Sequence, residues 1–154
     1  MYRHILVATD GSELSSRAIT EAVRLAKCSG AKVTGLHVAP QYMPPYYGES
    51  ALTAPASVSN WCPPREEYEA QASRDAAPYL SAVEQEAAKE SVPVSTVMEF
   101  CDSPSKSILN TADKLDCDCI VMASHGRRGL SGLLIGSETA KVLTHGTRPV
   151  LVVR

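Results

Sequence analysis

No apolar run in the 154 residues approaches the roughly 20 that span a bilayer. The polar start Met1-Tyr2-Arg3-His4 leads straight into an apolar strand and lacks the pattern of a signal peptide. A soluble cytoplasmic protein without a membrane partner is the expectation. A charge excess is missing too: 15 Lys and Arg against 17 Asp and Glu leave a formal net charge of -2, so no global field draws the chain onto nucleic acid or anionic lipid. Any anion must be held by a local site. The five cysteines are odd in number and scattered without a CxxC pair, which suits reduced thiols. Cys117-Asp118-Cys119 groups two thiols with a carboxylate, but strand alternation is expected to send both sulfurs to one face with no second pair to complete a tetrahedron. No metal site is expected. The chain also has no G-x-x-x-x-G-K-[ST] loop, no G-x-S-x-G elbow and no H-E-x-x-H pair. His4, His37, His125 and His145 are dispersed, so no catalytic residues are assigned.

What is present is one domain's worth of alternating strand and helix patterns, with 44% hydrophobic residues to fill a core. Residues 5–9 (ILVAT) read as a strand that breaks at Asp10-Gly11-Ser12. Leu14, Ala18, Ile19, Ala22, Val23, Leu25 and Ala26 follow at helical spacing, with Gly30 as the stop. A second strand is expected over 32–39. Six prolines between Pro40 and Pro64 then preclude regular structure throughout, which gives a flexible insertion at about 40–64. Residues 65–91 read as a long amphipathic helix interrupted near Pro78. A strand over 94–100, a helix capped by Ser103 with Pro104 at its first position, an almost wholly apolar strand over 119–123, a helix over 136–145 and a last strand over 149–153 complete the order. Near-continuous apolar strands alternating with helices predict a five-stranded parallel sheet, doubly wound with helices on both faces. Ligands of such sheets sit outside the carboxyl ends of strands where the winding reverses. Here those are the exits of the first, second and fourth strands.

The exit of the fourth strand runs Ala123-Ser124-His125-Gly126-Arg127-Arg128-Gly129 and on to Gly136-Ser137. Gly126 lets a ligand approach the backbone closely, and Gly136-Ser137 opens a helix whose free N–H groups and dipole attract phosphate. Such turns also serve packing. Val38 and Met122 fit core positions, and Asp10 fits a cap of the first helix.

The run from Ala123 to Ser137 resembles the nucleotide motif of the universal stress protein family: glycine, two residues, glycine, nine residues, glycine, then serine or threonine. Gly126, the nine residues 127–135, Gly136 and Ser137 fit it, and Ala123 replaces its first glycine. Residues 5–12, 36–38 and 149–153 resemble the family's first, second and last strands. The resemblance implies a single domain over 1–154 with a HUP-like sheet of strand order 3-2-1-4-5. It further implies an ATP or AMP ligand, with magnesium accompanying ATP. Asp10 matches the acid at the nucleoside end, with Ala8 and Thr9 beside it, and Val38 matches the residue lining the adenine. Met122 and Ala123 border the base. Gly126, Gly136 and Ser137 form the ribose and phosphate cradle, to which Arg127 and Glu138 are also assigned. The family's last strand pairs about a two-fold axis, which implies a homodimer through residues 149–153. The function implied is a nucleotide-binding stress regulator. A weak ATPase or autophosphorylating protein, and a dimeric interaction module without nucleotide, are the alternatives. The insertion carries Tyr42, Tyr46, Tyr47 and Trp61, so it fits either a flap over the base or a plain surface connection.

Overall fold

In a computed structural model, residues 1–44, 63–126 and 135–154 are described. The elements are β1 (His4–Ala8), α1 (Glu13–Ser29), β2 (Lys32–Ala39), α2 (Arg65–Lys89), β3 (Val94–Phe100), α3 (Pro104–Lys114), β4 (Cys119–Ala123), α4 (Ser137–His145) and β5 (Val150–Val153). The five strands form one sheet in the order β3-β2-β1-β4-β5, and every pairing is parallel. Successive side chains leave opposite faces of each strand. Ile5, Val7, Val33, Cys119 and Val121 therefore pack under α1 and α2. Leu6, Leu36, Ile120 and Met122 pack with Ile108 of α3 and Val142 of α4. With both faces covered, all five residues of β4 are buried, which is why its sequence is nearly all apolar. The winding reverses between β1 and β4. Among the described residues no helix is long and apolar enough to cross a membrane.

Two expectations need correction. The helix over Arg65–Lys89 runs through Pro78 as one element of 25 residues; the missing N–H at Pro78 removes one helical bond, and burial of Ala76, Val83 and Ala87 anchors the helix on both sides of it. Cys117 and Cys119 do not share a face. Asp116 has φ 51, and the Cys117 N–H donates to the Ala112 carbonyl at 2.8 Å, so Cys117 belongs to the turn before β4. Its side chain packs on the α3 side while Cys119 packs under α1. Burial pushes the Cys117 thiol up to about 11 despite the opposing pull of Arg148, and burial also raises Cys119. Burial of this kind lowers the reactivity of a thiol.

At the amino ends of the strands a polar chain runs from the buried His4 and Thr34 to Ser95 at the surface. His4 Nδ1 donates to the Leu115 carbonyl at 3.0 Å, which makes Nε2 the acceptor of the Thr34 hydroxyl at 2.8 Å; Thr34 Oγ1 in turn pairs with Ser95 Oγ at 2.8 Å. Burial is the main cause that lowers the pKa of His4, with Lys32 adding to it and the Leu115 carbonyl, Asp118 and Asp116 opposing. The native state thus binds fewer protons than the unfolded chain between that lowered value and the unfolded value of about 6.5. Stability is present above this window and falls as the pH drops through it. Denaturant midpoints measured between pH 7 and 5 are expected to decline in the wild type and to decline less in His4→Gln. Parallel curves for the two proteins would exclude His4 as the source.

Candidate functional site

The site is assembled from the exits of β1, β2 and β4. Beyond β1, Thr9 N–H still donates to the Leu36 carbonyl at 2.9 Å, so Thr9 prolongs the ladder and is buried. Its hydroxyl lies 3.1 Å from Ser15 Oγ and accepts from Gly11 N–H at 3.3 Å. The chain then turns at Asp10, whose Oδ1 accepts the Ser12 N–H at 3.0 Å. Ser12, not Asp10, caps α1, its side chain accepting from Ser15 N–H at 3.1 Å. Asp10 thereby sets the turn that precedes the cap, and its carboxylate reaches across to the β4 exit. A Cβ placed on Gly126 would lie 2.5 Å from Asp10 Oδ2. The β1 and β4 exits meet at this contact.

Below it, Ala8, Val38 and Met122 stand at the carboxyl ends of β1, β2 and β4 on the face toward α3 and α4. Met122 is a core residue at 6% exposure, whereas Ala8 and Val38 are half-buried at the edge of the same cluster. The three make an apolar floor under Asp10 and Gly126.

The far wall is the start of α4. Gly136 N–H donates to the Ser124 carbonyl at 2.7 Å, and a Cβ on Gly136 would sit 3.1 Å from both His125 Cα and that carbonyl oxygen. A glycine is needed here to seat the helix on the β4 exit. Thr139 Oγ1 donates to the Ala123 carbonyl at 3.0 Å, a buried bond that pins the first turn. Ala123 itself ends β4 opposite Val153. The positive-φ residues other than glycine are Ser91 and Asp116 among those described, so the methyl of Ala123 carries no left-handed cost. Ser137, the first residue of α4, is exposed, and its N-cap Gly136 has no side chain to cap with. The N–H groups of a helix's first turn have no intrahelical acceptor, and such an end suits an anion. His125 Nδ1 lies 3.1 Å from Ser124 Oγ.

The side chain of Glu138 turns toward α3. Its Oε2 accepts Ser105 N–H, in the first turn of α3, at 2.8 Å, and its Oε1 pairs with Lys141 at 2.6 Å. Burial pushes the carboxyl up, but Lys141 and the Ser105 bonds outweigh it and leave it below the ordinary range. Glu138 thus caps α3, where Ser103 makes no side-chain cap bond. Thr139, Ser124 and Ser105 were missed by sequence reasoning. The only local signal was the polar triplet Ser137-Glu138-Thr139 opening a helix. Arg127 and Arg128 lie outside the described residues, as do Tyr46, Tyr47 and Trp61 of the expected flap. Among the described residues no group of three or more His, Cys, Asp or Glu is placed to hold a metal.

The sequence profile of the Universal stress protein family matches residues 1–154. The chain belongs to this family. It is 31% identical to Universal stress protein YxiE of Bacillus subtilis, covering 100% of both chains. It is 30% identical to Universal stress protein MJ0531 of Methanocaldococcus jannaschii, covering 100% of this chain and 83% of that one. Among solved structures, protein MJ0577 superposes with a TM-score of 0.77 at 26% identity over 99% of this chain and 96% of its own. The universal stress protein of Archaeoglobus fulgidus in complex with dAMP superposes with a TM-score of 0.68 at 20% identity, covering 99% and 98% of the two chains. A universal stress protein in complex with cAMP does so with a TM-score of 0.65 at 21% identity, covering 99% and 97%. The doubly wound sheet of order 3-2-1-4-5 is the fold they share with this chain.

Proposed function

We propose that this chain binds an adenine nucleotide, ATP or AMP, at the β1–β4 crevice and acts as a dimeric cytoplasmic regulator of the stress response. The observation that carries this reading is the meeting of Asp10 with the bare backbone of Gly126 above the floor of Ala8, Val38 and Met122. That floor takes the base, Asp10 takes the nucleoside hydroxyls, and Gly126 with the open first turn of α4 takes the phosphates. Relatives of the same fold hold cAMP and dAMP, which supports an adenine ligand. With ATP, a magnesium ion would be held largely by the phosphates and water, as this ion commonly is.

Nucleotide released from the denatured protein should be identifiable as ATP or AMP, and calorimetry should give sub-millimolar affinity. Ser137→Ala removes one hydrogen bond, about 0.5 to 1.5 kcal/mol, and should weaken binding about two- to thirteenfold. Failure of wild type to bind either nucleotide below millimolar leaves the interaction module as the function. Steady ATP turnover that disappears in Ser137→Ala or His125→Ala moves the answer to an ATPase.

The dimer is read from β5. It is an edge strand of four apolar residues, with Leu151 40% exposed, and a bare edge of this kind invites pairing with another copy. Sedimentation at micromolar concentration should return twice the chain mass, and Leu151→Glu should shift it toward monomer. A soluble wild-type monomer at that concentration would refute the assignment.

A further inference from the structure

The chain has six Tyr, one Trp and one Phe. Four of these rings, Tyr42, Tyr68, Tyr79 and Phe100, gather at one end of the molecule. They meet ring to ring, His37 with Tyr79 at 5.3 Å, Tyr42 with Tyr68 at 5.6 Å and Tyr68 with Phe100 at 6.4 Å. None of the four belongs to either core cluster, both of which are built on aliphatic side chains. Packing of the core therefore does not account for them. What His37, Tyr68 and Tyr79 border is a cavity of about 540 Å³ between the exit of β2 and α2, within the roughly 300–1,000 Å³ of small-molecule sites. His37 and Val38 alternate along β2, so this cavity lies across the sheet from the Ala8–Val38–Met122 floor.

The walls and rim define what would fit. Pro40, Pro78, His37 and Tyr79 offer flat faces, the surfaces against which a planar ring packs. On the rim, Arg74 Nη2 donates to Gln71 Oε1 at 2.7 Å, and Gln71 Nε2 donates to Asp75 Oδ1 at 2.8 Å. One cation and one anion are joined through an amide, so the rim presents no net charge to attract an ion. Two acceptors remain. His37 Nδ1 donates to the Thr9 carbonyl at 2.9 Å, which makes Nε2 the acceptor of the neutral ring. Pro78 has no N–H, so the Arg74 carbonyl loses its helical donor.

We propose that this cavity is a second ligand site, distinct from the nucleotide crevice, that takes an uncharged planar heteroaromatic molecule carrying an N–H donor on its edge. The ring lies between the His37–Tyr79 pair and the proline faces, and its N–H reaches Nε2 of His37 or the Arg74 carbonyl. Because His37 holds the peptide that precedes Asp10, the occupant touches a residue bonded to the nucleotide side of β1.

The test is an amide-detected NMR titration of the full chain with indazole, beside 1-methylindazole, which has the same ring and no N–H. Indazole should give saturable shifts centred on Ala39, Ala72 and Tyr79, at millimolar concentration. 1-Methylindazole should bind at least threefold more weakly. Tyr79→Leu should weaken indazole at least fivefold. Pro78→Ala, which restores a helical N–H and does not threaten folding, should weaken it at least threefold. The absence of saturable shifts overturns the proposal. So do shifts centred on Ala8, Val38 and Met122, equal affinity for the methylated ring, or unchanged binding in both variants. Nucleotide affinity is read separately by calorimetry, so the two sites can fail independently.

Discussion

Gly126→Val is expected to weaken ATP or AMP binding at least tenfold, a loss of about 1.4 kcal/mol or more. The new Cβ would fall 2.5 Å from Asp10 Oδ2, so the carboxylate must shift, which disturbs the turn in which it accepts the Ser12 N–H. The remainder of the valine covers the backbone that the phosphates approach. Gly126→Ala should fall between wild type and valine, because it carries the clash without the extra bulk. Calorimetry on variants with wild-type circular dichroism decides the matter: valine-variant affinity equal to that of wild type would place the ligand elsewhere.

The second large effect is on stability. Gly35, in the middle of β2, faces Val83 of α2, and a Cβ there would lie 2.9 to 3.1 Å from three of its side-chain atoms. Val83 is fully buried, so neither partner can yield to solvent. Gly35→Val should cost about 1 to 3 kcal/mol or more by overpacking, read as a lower urea midpoint. Val83→Ala alone should also destabilise, by leaving a void. Combined, the two should cost less than their sum by about 0.5 to 3 kcal/mol, the range seen for contacting residues. Strict additivity in that cycle would show that the sheet and α2 adjust independently.

Much of this architecture was legible because each strand had a single job. β4 is apolar at all five positions, and the break at Asp10-Gly11-Ser12 marks a strand handing over to a helix, so the order of elements and the crevice between β1 and β4 followed. The failures lie where one element depends on another distant in sequence. Alternation carried back from Cys119 to Cys117 went wrong because the left-handed Asp116 ends the turn before the strand starts. Pro78 reads as a break until the packing of α2 on β2 and β3 is known. The bond from Ser105 N–H to the Glu138 carboxylate was out of reach, because no local pattern announces α3 as a neighbour. Thr139 is hidden in the same way, since its partner is a carbonyl 16 residues back.

All five strands run in one direction, so their beginnings form one rim of the molecule and their ends the opposite rim. The hydrogen-bonded chain of His4, Thr34 and Ser95 and the Asp118 contacts to Arg3 and His4 occupy the first rim. Ala8, Asp10 and Gly126 occupy the second. The four steps from His4 to Ala8 span about 13 Å at roughly 3.3 Å per residue, beyond the distance of about 7 to 10 Å at which substitutions cease to influence one another. Changes made for robustness at the first rim should therefore combine with changes made for ligand preference at the second as independent increments, and the two properties of the chain can be altered one at a time.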